Sequence, residues 1–251
     1  MSTPGSFTGP ASCTALSPTE LPAQPLISII VPVLDEAAGI EAVLAHLAEM
    51  PGEFEVIVCD GGSRDGTAEL AAAHPSSPVV LLGSRGRADQ QNAGAAVAQG
   101  EVMVFLHADS RLPGGAISAV REALRDPRCP GGNFALRFDS ADRFSRGLTR
   151  WYAIQRRHGV YYGDSTLWMR RSTWDALGGF RAMPLMEDYE LVRRLERRGR
   201  TACLPGPALT SSRRWLAAGV LRTVMTWVFI RWLWVAGIAP GRLERLYRQV
   251  R

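Results

Sequence analysis

The tightest constraint on the fold is a fourfold alternation within the first 110 residues. Apolar runs of strand length occur at Leu26–Val33, Glu55–Cys59, Val79–Leu82 and in Val102-Met-Val-Phe-Leu-His107-Ala-Asp109. Between them lie segments of helical character. Ile40, Val43, Leu44 and Leu47 fall on one helical face that Pro51-Gly52 ends. Asp65 or Thr67 can cap a helix running to Ala73, and Ala88–Ala98 is rich enough in Ala and Gly to approach a sheet closely. Strands and helices that alternate through short connections predict an α/β fold: a Rossmann-like, mostly parallel sheet covered on both faces. Ligands of such sheets bind at the carboxyl ends of the strands. That edge is where Leu34-Asp35-Glu36, Asp60-Gly61-Gly62, Arg85-Gly86-Arg87 and His107-Ala-Asp109 all fall.

Two common nucleotide signatures are excluded. Gly61 and Gly66 have the spacing of a phosphate loop, but Thr67 stands where a Lys must reach the terminal phosphates. No G-x-G-x-x-G follows the first strand, and Asp35-Glu36 would repel a pyrophosphate there. What remains is Asp60 at a glycine turn, where backbone can approach a flat base, Arg87 for phosphates and Asp109 for a hard cation. Mg²⁺ or Mn²⁺ commonly takes one or two protein carboxylates and completes its shell from substrate phosphates. The same residues have plainer readings, Asp60 as a turn residue, Asp109 as a helix cap and Arg87 as a solvated charge.

Five stretches together resemble the ordered motifs of family-2 glycosyltransferases with the GT-A fold. They are Ile29-Ile-Val-Pro-Val-Leu-Asp-Glu36, Val58-Cys-Asp-Gly-Gly-Ser-Arg-Asp-Gly-Thr67, Asn92-Ala-Gly94, Gly100-Glu-Val-Met-Val-Phe-Leu-His-Ala-Asp109 and Met186-Glu-Asp188. The resemblance covers about residues 27–215. It implies that Asp60 binds the base, uracil as first choice, with Val33, Asp35 and Glu36 beside it. Arg87 would contact the base or the diphosphate, and Asp109 would be the metal-binding end of the family's D-x-D pattern. In this chain His107 replaces the first Asp of that pattern. A neutral imidazole can hydrogen-bond a ribose or act as a softer metal ligand.

From Gly131 the alternation changes. Asn133–Phe138 reads as a strand and Ala141–Arg157 as an amphipathic helix, followed by a glycine-bracketed loop, Gly159-Val-Tyr-Tyr-Gly163-Asp164-Ser165, and a strand at Thr166–Arg170. Tyr161, Tyr162 and Trp168 are either core residues or a platform for stacking a sugar, and Asp164 is either a turn residue or an acceptor contact. Glu187 and Asp188 open a helix over Tyr189–Arg198, where its dipole favours their anionic form. The resemblance makes this pair catalytic, with Asp188 the base that deprotonates the acceptor hydroxyl. It implies inversion at the anomeric carbon by single displacement.

The formal charge of +5 sits at one end. Residues 1–200 carry 21 Arg against 23 Asp and Glu, and residues 201–251 carry eight Arg against Glu244 alone. Arg213, Arg214 and Trp215 resemble the R-W element that closes the acceptor side in some relatives. Leu216–Ala239 is apolar but is interrupted by Arg222 and Arg231, and Arg242–Arg251 is basic. The tail, residues 213–251, is therefore expected to be amphipathic and helical, and peripheral on the cytoplasmic face of a membrane rather than spanning it. Residues 1–25, with five Pro among Ser, Thr and Gly, are expected to be a disordered lead. Residues 26–212 form the transferase domain, its nucleotide half ending at 112 and its acceptor half running from 113. Cys13, Cys59, Cys129 and Cys203 show neither zinc spacing nor a disulfide framework.

The resulting expectation is a metal-dependent inverting glycosyltransferase with a nucleotide-sugar donor, a hydroxyl acceptor that is lipid-linked or amphipathic, and no nucleic-acid partner. A nucleotidyltransferase shares the crevice and metal carboxylate, and a catalytically silent nucleotide-sugar binder would explain His107.

Overall fold

A computed structural model of the protein describes residues 25–83, 85–140, 142–211 and 220–250. The alternation resolves into β1 (Ile27–Val33), α1 (Ala37–Ala48), β2 (Phe54–Asp60), α2 (Thr67–Ala73), β3 (Val79–Leu82), α3 (Arg87–Val97) and β4 (Val102–Phe105). These four strands pair in parallel in the order β3-β2-β1-β4. Every residue of β1 is buried. Ile27, Ile29, Val31 and Val33 point into one core with Ile40, Leu44 and Leu47 of α1, and Ile30 points into a second core on the other face. A strand buried on both faces can be apolar throughout, which is why β1 shows no alternation of polarity.

The helices sit against this sheet as their small residues allow. A side-chain carbon at Gly94 of α3 would lie 2.6 Å from Ile30 Cγ2 and 2.7 Å from Cys59 Sγ, so only glycine permits that approach. Asp65 serves two helices. Its Oδ2 accepts the Ala37 amide that opens α1, and its Oδ1 accepts the Thr67 amide and hydroxyl at the start of α2.

The second half extends the sheet with β5 (Ser110–Arg111), α4 (Ala116–Ala123), β6 (Gly131–Phe138), α5 (Arg143–Arg157), a 3₁₀ turn at Gly163–Ser165 and β7 (Leu167–Arg170). It continues through α6 (Arg171–Leu177), α7 (Glu187–Glu196) and β8 (Ala202–Thr210). The full order is β3-β2-β1-β4-β7-β6-β8-β5. β7 runs antiparallel to both β4 and β6, β8 is parallel to β6, and β5 closes the sheet antiparallel to β8. Because β7 runs antiparallel to β4, the turn at Gly163 that precedes it comes to the carboxyl edge of the parallel strands, where it meets the start of α7.

Two further helices, α8 (Val220–Val235) and α9 (Pro240–Val250), complete the described chain. Pro240 opens α9, a position where its missing N–H costs nothing. Ile230 and Leu243 are buried with Leu185, Met186 and Tyr189, so both helices dock on the turn that begins α7. Among the described residues no helix is long and apolar enough to cross a membrane. The Arg213-Arg214-Trp215 element and the N-terminal lead lie outside the described residues.

Candidate active site

A cavity of about 370 Å³ opens along the carboxyl edge of β1 and β4. One wall contains Val33, Glu36, Arg87, His107 and Asp109, and the other contains Tyr162, Asp164 and Asp188. Residues up to 155 positions apart in sequence thus meet because β4 and the Gly163 turn converge on one edge.

Asp188 lies in the first turn of α7, and its Oδ2 accepts the Gly163 amide at 2.8 Å. That hydrogen bond fixes the carboxylate's rotamer toward the cavity side. A side-chain carbon at Gly163 would meet His107 Nε2 at 2.9 Å and Asp188 Oδ2 at 3.2 Å. The imidazole and the carboxylate therefore crowd the same point, and glycine is what leaves it open. Met186, at the N-cap of α7, is held at φ +69°, a strained conformation for a non-glycine residue that its burial against Leu243 and Ile230 supports.

Asp164 is the second carboxylate of this wall. Burial first, and then the charge of Asp188, push its pKa up to about 7, against a hydrogen bond from Tyr152 that acts the other way. Its Oδ1 is buried and has no hydrogen-bonding partner among the described residues. Burial likewise holds the Tyr152 hydroxyl far above its usual range, so it stays a donor.

Glu187 has a different task from its neighbour. It is buried and accepts the Arg87 Nε at 2.5 Å. Burial opposes the charge on Arg87, but Glu187, Asp188 and Asp164 outweigh it and hold the guanidinium protonated well above its ordinary range. Glu187 pairs with Arg87, and Asp188 is the member of the pair that lines the cavity.

The ends of β1 and β2 are tied together by a residue that motif reading did not single out. Gln90 Nε2 donates to the Val33 and Cys59 carbonyls at 2.7 and 2.8 Å, bridging the ends of β1 and β2. The Val33 carbonyl also accepts the Gly61 amide, so Val33 contributes a wall but not a free acceptor. Asp60 Oδ1 accepts the amides of Gly62 and Ser63, while its buried Oδ2 has no partner among the described residues. Asp35 is likewise engaged within the protein. Its amide bonds to Ser63 Oγ and its Oδ1 accepts the Arg64 amide, so it laces two loops and does not line the cavity.

The aromatic platform also divides. Trp168 is wholly buried in the core shared with β1 and cannot stack on a ligand. Tyr161 is buried beneath the Arg156 guanidinium, 4.3 Å from its ring centre. Only Tyr162 reaches the cavity, in a line of ring contacts that runs Phe138, Tyr152, Tyr162, Tyr189, Trp234.

The model of the family described as Glycosyl transferase family 2 matches residues 28–186. The chain belongs to glycosyl transferase family 2. An uncharacterized protein of Mycobacterium tuberculosis (strain CDC 1551 / Oshkosh) is 32% identical over 68% of this chain and 60% of its own length. An undecaprenyl-phosphate 4-deoxy-4-formamido-L-arabinose transferase of Pseudomonas aeruginosa (strain LESB58) is 33% identical over 61% of this chain and 49% of its own. The chain spans 60% or less of the length of these two curated relatives. In fold, the family-2 chain is similar to a mannosyltransferase of Pyrobaculum calidifontis solved with GDP-Man and Mn²⁺. The TM-score is 0.57 at 23% identity, over 76% of this chain and 57% of that one. This is the GT-A architecture.

The side chains present suit one kind of metal. Among the described residues no group of three His, Cys, Asp or Glu is arranged to enclose an ion. Asp109 is exposed at the cavity, two residues after His107. This donor set fits a hard divalent cation that takes one or two protein ligands and fills its shell from phosphate and water.

Proposed function

We propose that the protein is an inverting glycosyltransferase that moves a sugar from a nucleoside-diphosphate sugar, a UDP-sugar as first choice, to an acceptor hydroxyl. The observation that supports this most directly is the placement of Asp188 in one cavity with Arg87, His107 and Asp109. A base for the acceptor and cationic and metal-binding groups for a diphosphate then face a common space. The nucleotide would lie along Val33–Glu36 and Asp60, whose unpartnered Oδ2 suits an N–H of a base. Arg87, held in place by Glu187, stabilises negative charge that builds on the leaving diphosphate. Asp109, with His107 beside it, would hold Mg²⁺ or Mn²⁺. A bound cation supplies further positive charge there. Asp188 takes the proton of the attacking hydroxyl, and Tyr162 and Asp164 flank the acceptor. The new bond forms on the face opposite the leaving group, which inverts the anomeric carbon without a covalent enzyme intermediate.

The acceptor is read as amphipathic or lipid-linked, and the protein as peripheral on the cytoplasmic face of a membrane. The undecaprenyl-phosphate sugar transferase of Pseudomonas aeruginosa among the relatives and the exposed apolar residues of α8, Met225, Phe229 and Trp232, support this.

The test is donor turnover. With Mn²⁺ and a panel of UDP- and GDP-sugars, the protein should release nucleoside diphosphate. Pyrophosphate release would establish nucleotidyl transfer instead, and binding without turnover would establish a silent binder. Asp188→Asn should keep nucleotide affinity and lose transfer by about 10²- to 10⁴-fold. Normal turnover in that variant would remove Asp188 from the mechanism.

A further inference from the structure

The cavity continues past its polar residues into a chamber between α5 and α8. Leu148, Trp151 and Tyr152 line it from α5, and Val224, Trp227 and Val228 from α8. Arg231 stands one helical turn beyond Trp227, where this apolar chamber meets the acidic wall. Its Nη1 donates to Gln155 Oε1 at 2.5 Å, and its positive charge acts on the neighbouring Tyr162 hydroxyl. Both partners are neutral. Burial pushes Tyr162 up to about 12, so it stays un-ionised beside Arg231 at neutral pH. Arg231 and Asp188 line the same cavity, which puts the cation in one space with the proposed base. Among the described residues no ion pair includes Arg231.

A half-buried guanidinium without an anion is uncommon, because its desolvation is normally offset by a carboxylate. Arg carries five N–H donors in a planar fork, and two neutral partners leave several of them for a bidentate anion. Arg87 differs in this respect, since Glu187 supplies it with a carboxylate partner at Nε. We propose that the chamber is an acceptor subsite for an amphipathic anion, a phosphate or carboxylate carried on an apolar body. Arg231 grips the anion, and the apolar body lies among Leu148, Trp151, Trp227 and Val228. The word acceptor rests on the transferase reading above, but the binding does not.

Full-length protein should be titrated calorimetrically with geranyl phosphate, geraniol and inorganic phosphate, without donor. Geranyl phosphate should bind about 10- to 100-fold more tightly than either half alone, the range expected for a hydrogen-bonded charge. In Arg231→Gln the preference over geraniol should vanish, and in Arg231→Lys part of it should return. Geraniol binding as tightly as geranyl phosphate would overturn the anion site. Inorganic phosphate doing so would overturn the apolar half. An unchanged preference in Arg231→Gln, or no binding of geranyl phosphate to wild type, would overturn the whole. UDP titrated into the same preparation separates the two readings. Geranyl phosphate binding with no nucleotide binding upholds the subsite while sinking the transferase assignment.

Discussion

At Asp164 the folded protein carries a carboxyl whose pKa is about 7, raised by burial and by Asp188 from an ordinary 3.8. Between about pH 4 and 7 the folded state therefore binds a proton that the unfolded chain releases, and stability falls as pH rises through that window. Above pH 7 the whole cost of ionising a buried, poorly partnered acid is present. Asp164→Asn removes it. The variant's melting temperature should exceed that of wild type by a margin that is small at pH 4 and largest at pH 8. Equal margins at both pH values would mean that Asp164 ionises as an ordinary carboxylate. The unpaired Oδ1 has a functional counterpart, because a buried acceptor atom in a cavity wall is ready for a ligand hydroxyl. Wild type and Asp164→Asn should therefore also differ in acceptor affinity, and that difference should be greater above pH 7.

The helix most sensitive to a single atom is α3, which carries Arg87 and Gln90 at its start and Gly94 at its point of closest approach to the sheet. Gly94→Ala would place a methyl carbon within 2.7 Å of Ile30 and Cys59, and the helix must lift to admit it. Overpacking of this kind costs about 1–3 kcal/mol, readable as a lower denaturant midpoint at unchanged slope. Because Arg87 and Gln90 move with the helix, nucleotide affinity should drop as well. Wild-type stability in Gly94→Ala would show that the contact is loose. The small side chains of α3 were legible in the sequence, as were the first four strands, because buried strands are uniformly apolar and polar clusters mark their ends. β8 was not. Pro205, Gly206 and Pro207 interrupt Ala202–Thr210, and proline removes a ladder donor. The strand accommodates them where its register against β6 shifts between Phe134 and Leu136. The site followed the same division. Asp109 and Asp188, both marked by motifs, line one cavity, but the partnership of Arg87 with Glu187, 100 residues away, is a product of tertiary packing. The bridge made by Gln90 is another, and so is the burial of Trp168, since nothing local distinguishes a core aromatic from a ligand platform.

For the molecule as a whole, the question is what the C-terminal helices face. Ile230 and Leu243 pin α8 and α9 to Met186 and Tyr189, so one side of the tail is spent on holding the start of α7. The other side of α8 exposes Met225, Phe229 and Trp232, spaced as one helical face, at 61%, 59% and 68% of their surface. Trp151 and Ile154 of α5 are about half exposed, and Arg242 and Arg245 of α9 are exposed. Apolar and aromatic groups beside arginines suit the headgroup region of an anionic bilayer, where tryptophan partitions well and each cation near the surface adds about 1 kcal/mol. Sedimentation with phosphatidylglycerol vesicles should carry the protein into the pellet, less so with phosphatidylcholine, and less so as salt rises. Replacing both Phe229 and Trp232 with Ser should weaken the partitioning by about 10-fold or more, since each large side chain contributes roughly 1.5–3 kcal/mol when fully buried. The melting temperature should change little, because both residues are mostly exposed. Protein left wholly in the supernatant, or a double variant that pellets like wild type, would end the membrane reading. A double variant that loses both vesicle binding and thermal stability would show that the ridge packs against protein instead.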